Sequence, residues 1–214
     1  LTGDGRAVVR HARAGVDTLG VLDLATGRLT NFELPPVAFA DVQLLDRDTA
    51  VAIAASRAEE PAIVAVDLRS GTARELYRAV SVGLPQGIVS RGEAIEFSTA
   101  NGPGGERRTA HAFFYPPTNP AYRAPDGEKP PLLVMIHGGP TSAARPTLSL
   151  QRQYWTSRGF AVVDVNYGGS TTFGRAYRER LNGGWGVVDV QDAVAAVDHL
   201  VATGRVDPRR VAIR

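Results

Sequence analysis

The stretch PPLLVMIHGGPT, Pro130 to Thr141, runs the apolar residues Leu132 to Ile136 straight into His137-Gly138-Gly139-Pro140. A continuous apolar run closed by Gly and Pro reads as a strand buried on both faces, as in a parallel sheet covered by helices. Two adjacent glycines at the end of such a strand let the backbone turn sharply and leave N–H groups free to face a ligand. Two readings of the turn stand open. One is a plain strand-to-loop reversal. The other is an oxyanion hole, whose donors must lie roughly 3 Å from a developing negative oxygen.

Downstream, Thr147 to Arg158 carries Leu148, Gln151, Tyr154 and Trp155 at helical spacing, and Gly159 stands where a helix C-cap belongs. Phe160 to Val165 is a second apolar strand, closed by the glycine crest Asn166-Tyr167-Gly168-Gly169-Ser170. Arg175 to Arg180 suits a short helix. Val187, Val190, Val194, Val197 and Val201 then recur at three- and four-residue steps opposite Asp189, Asp192 and Asp198, which predicts an amphipathic helix ending at Gly204. Asp207-Pro208 caps a turn, and Val211 to Ile213 begins a third apolar strand. Strands separated by helices predict a right-handed parallel sheet.

The run Gly169 to Gly174 lacks the Lys-Ser/Thr of a phosphate loop, because Arg175-Ala176 stands there, and it follows no G-x-G-x-x-G pattern. Asp189 and Asp192 are expected on a solvated helix face. His199 is expected near the helix C-terminus as a dipole partner, and Trp185 as a packing anchor at a helix start.

Upstream, Glu93 to Thr99 and Arg107 to Tyr115 alternate as strands of a hairpin with a glycine-rich loop from Ala100 to Glu106. His111 falls at an alternating position and reads as structural. Pro116 to Pro131 is a proline-rich connection. A boundary falls near Ser81 to Gly92, giving 1–85 and 86–214 as the expected domains.

The first half repeats itself. Thr18 to Leu24 enters the turn Ala25-Thr26-Gly27-Arg28 and returns through Leu29 to Phe32. Ala62 to Leu68 enters Arg69-Ser70-Gly71-Thr72 and returns through Ala73 to Leu76. Asp23 and Asp67 set the period at 44 residues. With Ala7 to Ala12, Val42 to Leu45 and Thr49 to Ala54 as further strands, about four short strands fill each period, the signature of a β-propeller blade. A pair of unrelated hairpins in a β-sandwich is the alternative. His11 reads as an ordinary strand residue and Arg57 to Glu60 as a solvated loop.

Twenty-four basic and twenty-two acidic residues leave a formal charge of +2, and no basic stripe argues for nucleic acid. The absence of cysteine excludes disulfides, thiolate metal sites and cysteine nucleophiles. No window reaches the roughly 18 consecutive apolar residues of a spanning helix. The chain starts at Leu1 without a methionine and stops at Arg214 inside a strand pattern, so we read it as a piece of a longer protein. A cytoplasmic location is expected, with a leader left open upstream.

HGGP at 137–140, NYGGSTTFGRAYRERLNGGWG at 166–186, DVQDAVAAVDHL at 189–200 and VDPRRVAIR at 206–214 together resemble the catalytic domain of the prolyl oligopeptidase family of serine peptidases, over about residues 88 to 214. The likeness is to dipeptidyl aminopeptidase and acylaminoacyl-peptidase members. It implies the N-terminal part of the mainly parallel sheet of an α/β hydrolase, preceded by the last blades of a β-propeller. It also implies acyl-enzyme hydrolysis of short peptides without cofactor or metal, and without nucleic acid or membrane as partner. Homo-oligomerisation is left open.

The resemblance makes Gly138 and Gly139 oxyanion-hole candidates, while His137 precedes them and is not the base, because the hydrolase triad runs Ser, Asp, His downstream. Thr172 replaces a glycine common in relatives. The family's strand runs on into a G-x-S-x-G nucleophile elbow, and no such elbow occurs in these 214 residues. Ser, Asp and His are therefore expected beyond Arg214, and the piece alone is expected to be inactive. An esterase on the same fold and a hydrolase-like scaffold without a triad are the alternatives.

Overall fold

The computed structural model describes residues 1–85, 87–100 and 106–214. Most of the loop expected from Ala100 to Glu106 therefore lies outside the described residues. The chain divides into two compact units, Leu1–Gly83 and Leu84–Arg214.

In the first unit, β1 (Arg6–Arg13), β2 (Val16–Asp23) and β3 (Leu29–Asn31) form an antiparallel three-stranded sheet. Strands β4 (Ala38–Leu44), β5 (Thr49–Ala55), β6 (Ala62–Asp67) and β7 (Ala73–Tyr77) form a four-stranded one. Both sheets are meanders in chain order. The 44-residue repeat survives at the level of individual hydrogen bonds. Asp23 Oδ1 accepts from the amides of Ala25 and Thr26, and Asp67 Oδ1 accepts from those of Arg69 and Ser70. Gly27 and Gly71 then donate back to the carbonyls of Asp23 and Asp67, at φ +69° and +71°. An Asp side chain that satisfies two turn amides makes this reversal self-sufficient. The same Asp-to-Gly turn has therefore been used twice. Leu19, Phe39, Ala50, Ala52, Val64 and Val66 form the core of this unit.

In the second unit, β8 (Glu93–Thr99), β9 (Arg108–Tyr115), β10 (Leu132–Ile136), β11 (Ala161–Asn166) and β12 (Val211–Ile213) form one sheet in the order β12-β10-β11-β9-β8. The pairs β10/β11 and β10/β12 are parallel, and β11/β9 and β9/β8 are antiparallel. The run Leu132 to Ile136 is thus central, as its unbroken apolar character requires. Alternate residues serve two layers: Leu132 and Val134 pack with Ala161, Val163 and Val165 beneath helix α3 (Val188–Ala202), and Leu133 packs with Phe113, Tyr115 and Val162 on the side of helix α1 (Leu150–Thr156).

Both helices bury faces that only partly coincide with those expected, Trp155 of α1 and Val197 and Val201 of α3 packing on the core as their spacing predicts. On α1 the buried residues are Arg152, Gln153 and Thr156, while Leu150 and Tyr154 are exposed. The polar face has its partners built in. Gln153 accepts from the amide of Ser90 at 2.8 Å and donates to its carbonyl at 2.9 Å, as a neighbouring strand would. Arg152 reaches Asp164 of β11 at 2.7 Å.

On α3 the buried residues are Val188, Asp192, Ala193, Ala196 and Leu200, and Val187, Val190 and Val194 lie half or more exposed. Small side chains let this helix lie close on the sheet, and that close approach outweighs the valine stripe. Asp192, expected in solvent, is fully buried and accepts from the amide of Gly168 at 2.7 Å. Asp189, in the first turn, accepts from the N–H of Gly186 just before the helix at 2.8 Å. Trp185 is 69% exposed and anchors no packing here. Between β11 and α3 lie α2 (Arg175–Arg178) and a 3-10 turn, Glu179–Leu181.

Candidate active site

The parallel strands β10 and β11 end side by side, which brings the HGGP loop against the crest 166–171. Asn166, fully buried, makes the first connection: its Oδ1 accepts from Ala144 N–H at 2.8 Å and its Nδ2 donates to the Ala144 carbonyl at 3.3 Å. Thr171 N–H donates to the carbonyl of Ser142 at 2.8 Å. Tyr167 stacks on His137, with ring centroids 4.5 Å apart, and its hydroxyl donates to the His137 carbonyl at 3.1 Å. Ser170 Oγ lies 2.7 Å from His137 Nε2.

The two glycine-rich crests differ in what they offer. In the second, Gly168 N–H is taken by Asp192, Gly169 N–H by the carbonyl of Tyr177, Ser170 N–H by that of Tyr167 and Thr171 N–H by that of Ser142. Four consecutive amides are thus occupied, which is the physical reason this run is no anion nest. In the first crest, Gly138 and Gly139 are exposed and their amides donate to no group among the described residues. Polar N–H groups on a well-fixed loop, not already spent on the fold, are what a developing oxyanion requires. Gly139 adopts φ +133°, a conformation closed to most side chains, whereas Gly138 does not.

His137 is no general base in this arrangement. Its Nδ1 donates to the Gly138 carbonyl at 3.1 Å, and its Nε2 faces Ser170. Ser170 is fully buried and out of reach of a substrate. Burial lowers the His137 pKa below its ordinary 6.5, with the Gly138 carbonyl opposing. As pH falls through 6.5 toward that lower folded value, the unfolded chain takes the proton first, so His137 removes stability on acidification. The Tm of the wild type should therefore fall further between pH 7.5 and pH 5 than that of a His137→Gln variant.

His111, read as structural, stacks on Phe173 at 4.3 Å and sits 5.2 Å from the Tyr177 ring. Its neighbour on the crest, Thr172, holds φ +78°, an outlier for a β-branched residue. We expect Thr172→Gly to raise stability by about 1 kcal/mol, read as a higher urea midpoint. Among the described residues no group of three His, Asp or Glu side chains is placed to hold a metal. No described helix is long and apolar enough to cross a membrane.

Sequence reasoning passed over Asn166 and Ser170. The available signal was a pair of small polar residues flanking glycines directly after an apolar strand, a place where side chains turn inward to meet loop backbone.

The central parallel pair of strands thus ends in a loop with two unspent amides, and residues 146–214 match the model of the prolyl oligopeptidase family. The chain is 35% identical to the acylamino-acid-releasing enzyme of Arabidopsis thaliana over 88 residues, 41% of this chain and 12% of that enzyme. It is 39% identical to that of Rattus norvegicus over 102 residues, 48% of this chain and 13% of that enzyme. Among solved structures, a Mycobacterium tuberculosis puromycin-hydrolyzing peptidase superposes with a TM-score of 0.88 at 46% identity, over 100% of this chain and 32% of that one. A puromycin hydrolase does so with a TM-score of 0.91 at 39% identity, over 99% and 31%. The chain thus spans about a third of the length of the structures it matches. The family resemblance drawn from the four motifs is borne out.

Proposed function

We propose that this chain is part of a serine peptidase that hydrolyses short peptides through an acyl-enzyme, with Gly138 and Gly139 supplying backbone donors to the oxyanion. The observation that carries the reading is the contrast between the two crests: only the HGGP loop keeps its glycine amides unspent. The family match and relatives named for releasing acylamino acids and hydrolysing puromycin support the choice of reaction.

In this reading a serine hydroxyl beyond Arg214 gives its proton to a histidine and attacks the scissile carbonyl. The negative oxygen of the tetrahedral intermediate is met by amides of the 138–139 loop, and collapse expels the amine, which takes the proton from the histidine. Water then repeats the sequence on the acyl-serine. The nucleophile, acid and base lie outside these 214 residues, and the piece alone is inactive. Units 1–85 and 86–214 are then a propeller portion and a hydrolase portion, the first supported by the 44-residue repeat with its twice-used Asp turn.

The test is hydrolysis of aminoacyl p-nitroanilides by the full-length protein beside p-nitrophenyl esters. Cleavage of the anilides is expected. Ester cleavage alone would replace the peptidase reading with an esterase, and neither would replace it with a scaffold.

A further inference from the structure

We infer that Ser170 is a positioning residue that sets the direction of the Gly139 amide through the imidazole of His137. The inference deepens the proposed function and rests on its placing an oxyanion at the HGGP loop.

The chain of contacts fixes the protons. His137 Nδ1 lies 3.1 Å from the Gly138 carbonyl and 3.4 Å from the Tyr167 hydroxyl, which itself donates to the His137 carbonyl. A carbonyl only accepts, so Nδ1 carries the hydrogen and the neutral ring presents a lone pair at Nε2. Ser170 Oγ, 2.7 Å away, must then donate to it. The relay runs Ser170 O–H to Nε2, and Nδ1–H to the oxygen of Gly138.

That oxygen belongs to the same planar peptide unit as the Gly139 N–H. Because the unit is rigid, holding the carbonyl holds the N–H, which points the opposite way in a trans peptide. A hydrogen bond accepted at the carbonyl also polarises the amide and makes its N–H a stronger donor. Gly138 has open space around it and Gly139 adopts a conformation only glycine takes readily, so the peptide between them has little else to restrain it. Ser170 in turn is fully buried on a crest whose amides from Gly168 to Thr171 are occupied, so its hydroxyl has a fixed origin. An alanine there would fill almost the same volume but leave Nε2 without its donor.

The experiment is a double-mutant cycle in the full-length protein on an aminoacyl p-nitroanilide, with Ser170→Ala, His137→Ala and the pair. Each single change is expected to lower kcat about tenfold or more, with KM changed less than twofold, because the amide acts on the transition state. The double variant is expected to lose no more than the worse single one. Multiplicative losses, or full kcat in Ser170→Ala, overturn the inference while leaving the peptidase reading intact. Should Ser170→Ala fail to fold, nitrogen NMR of the wild-type His137 ring decides instead, assigned by its disappearance in His137→Gln. An Nδ1–H tautomer with Nε2 accepting supports the relay, and an Nε2–H tautomer or an imidazolium at neutral pH overturns it. The NMR reading stands whether or not the wild type cleaves anilides, so a failure of the peptidase reading is separately visible.

Discussion

Gly139→Ala is expected to lower kcat of the full-length protein about 100-fold or more, with KM nearly unchanged, whereas Gly138→Ala should remain near wild type. The asymmetry follows from backbone geometry. Gly139 sits at φ +133°, where an L side chain is strained whatever the space around it, and its added Cβ would lie 3.3 Å from both Ser142 Cβ and the Thr141 nitrogen. Relief of a strain of about 1 to 3 kcal/mol comes most easily by turning the flanking peptides. Turning them re-aims the amide. Loss of one oxyanion donor typically lowers kcat by about 10² to 10³. Gly138 has no positive φ, and a Cβ there would meet nothing within 4 Å, so alanine leaves the loop where it is. Steady-state kinetics on both variants, with circular dichroism to confirm retained fold, reads the difference. Equal effects from the two substitutions would show that the loop geometry has no catalytic part.

The second large effect is on stability. Arg152 of α1 and Asp164 of β11 form an ion pair at 2.7 Å with both side chains about 10% exposed. Burial pushes the Asp164 carboxyl upward and the Arg152 charge opposes it. The guanidinium also donates to the carbonyls of Arg145 and Thr147, at 3.3 Å and 2.5 Å, and lies over the Tyr115 ring at 4.7 Å from its centroid. It therefore ties the segment after the HGGP loop to the sheet. Arg152→Met strips the carboxylate of its partner while keeping most of the volume. Removing one member of a buried pair destabilises by about 3 to 5 kcal/mol. Arg152→Met combined with Asp164→Leu should recover most of that loss, because the uncompensated charge goes with it. Denaturant midpoints for the two variants decide the matter. A single variant within 1 kcal/mol of wild type, by the same scale, would mean the pair is solvated in practice.

What the sequence made legible was the strand frame. The runs at Leu132 to Ile136 and Glu93 to Thr99 became strands with those bounds, since unbroken or alternating apolar runs closed by turn residues leave the chain few options. The helical faces were not legible in the same way. Reading α3 by its valines assumed that aspartates face water, yet Asp192 goes inward because the crest presents Gly168 N–H to it, and Ala193 and Ala196 go inward because the helix packs close. Reading α1 by Tyr154 failed for a related reason, although Trp155 does pack on the core: Gln153 and Arg152 meet partners from Ser90 and from β11 that are distant in sequence. Periodicity records which side chains are apolar and carries no record of which polar ones find buried partners. At the site, the Gly-Gly pair after an apolar strand was visible as a loop able to present amides. The buried contacts that hold it, from Asn166 and Ser170, were not, because each depends on two strand ends meeting in space.

The central claim is that this loop serves a serine nucleophile encoded beyond Arg214. A fluorophosphonate probe reacted with the full-length protein, followed by mass spectrometry of the labelled peptide, tests it most directly. The account predicts one modified serine, C-terminal to residue 214 and within a G-x-S-x-G sequence, with labelling slowed by Gly139→Ala. No labelling, or a modified serine among residues 1–214, would contradict it.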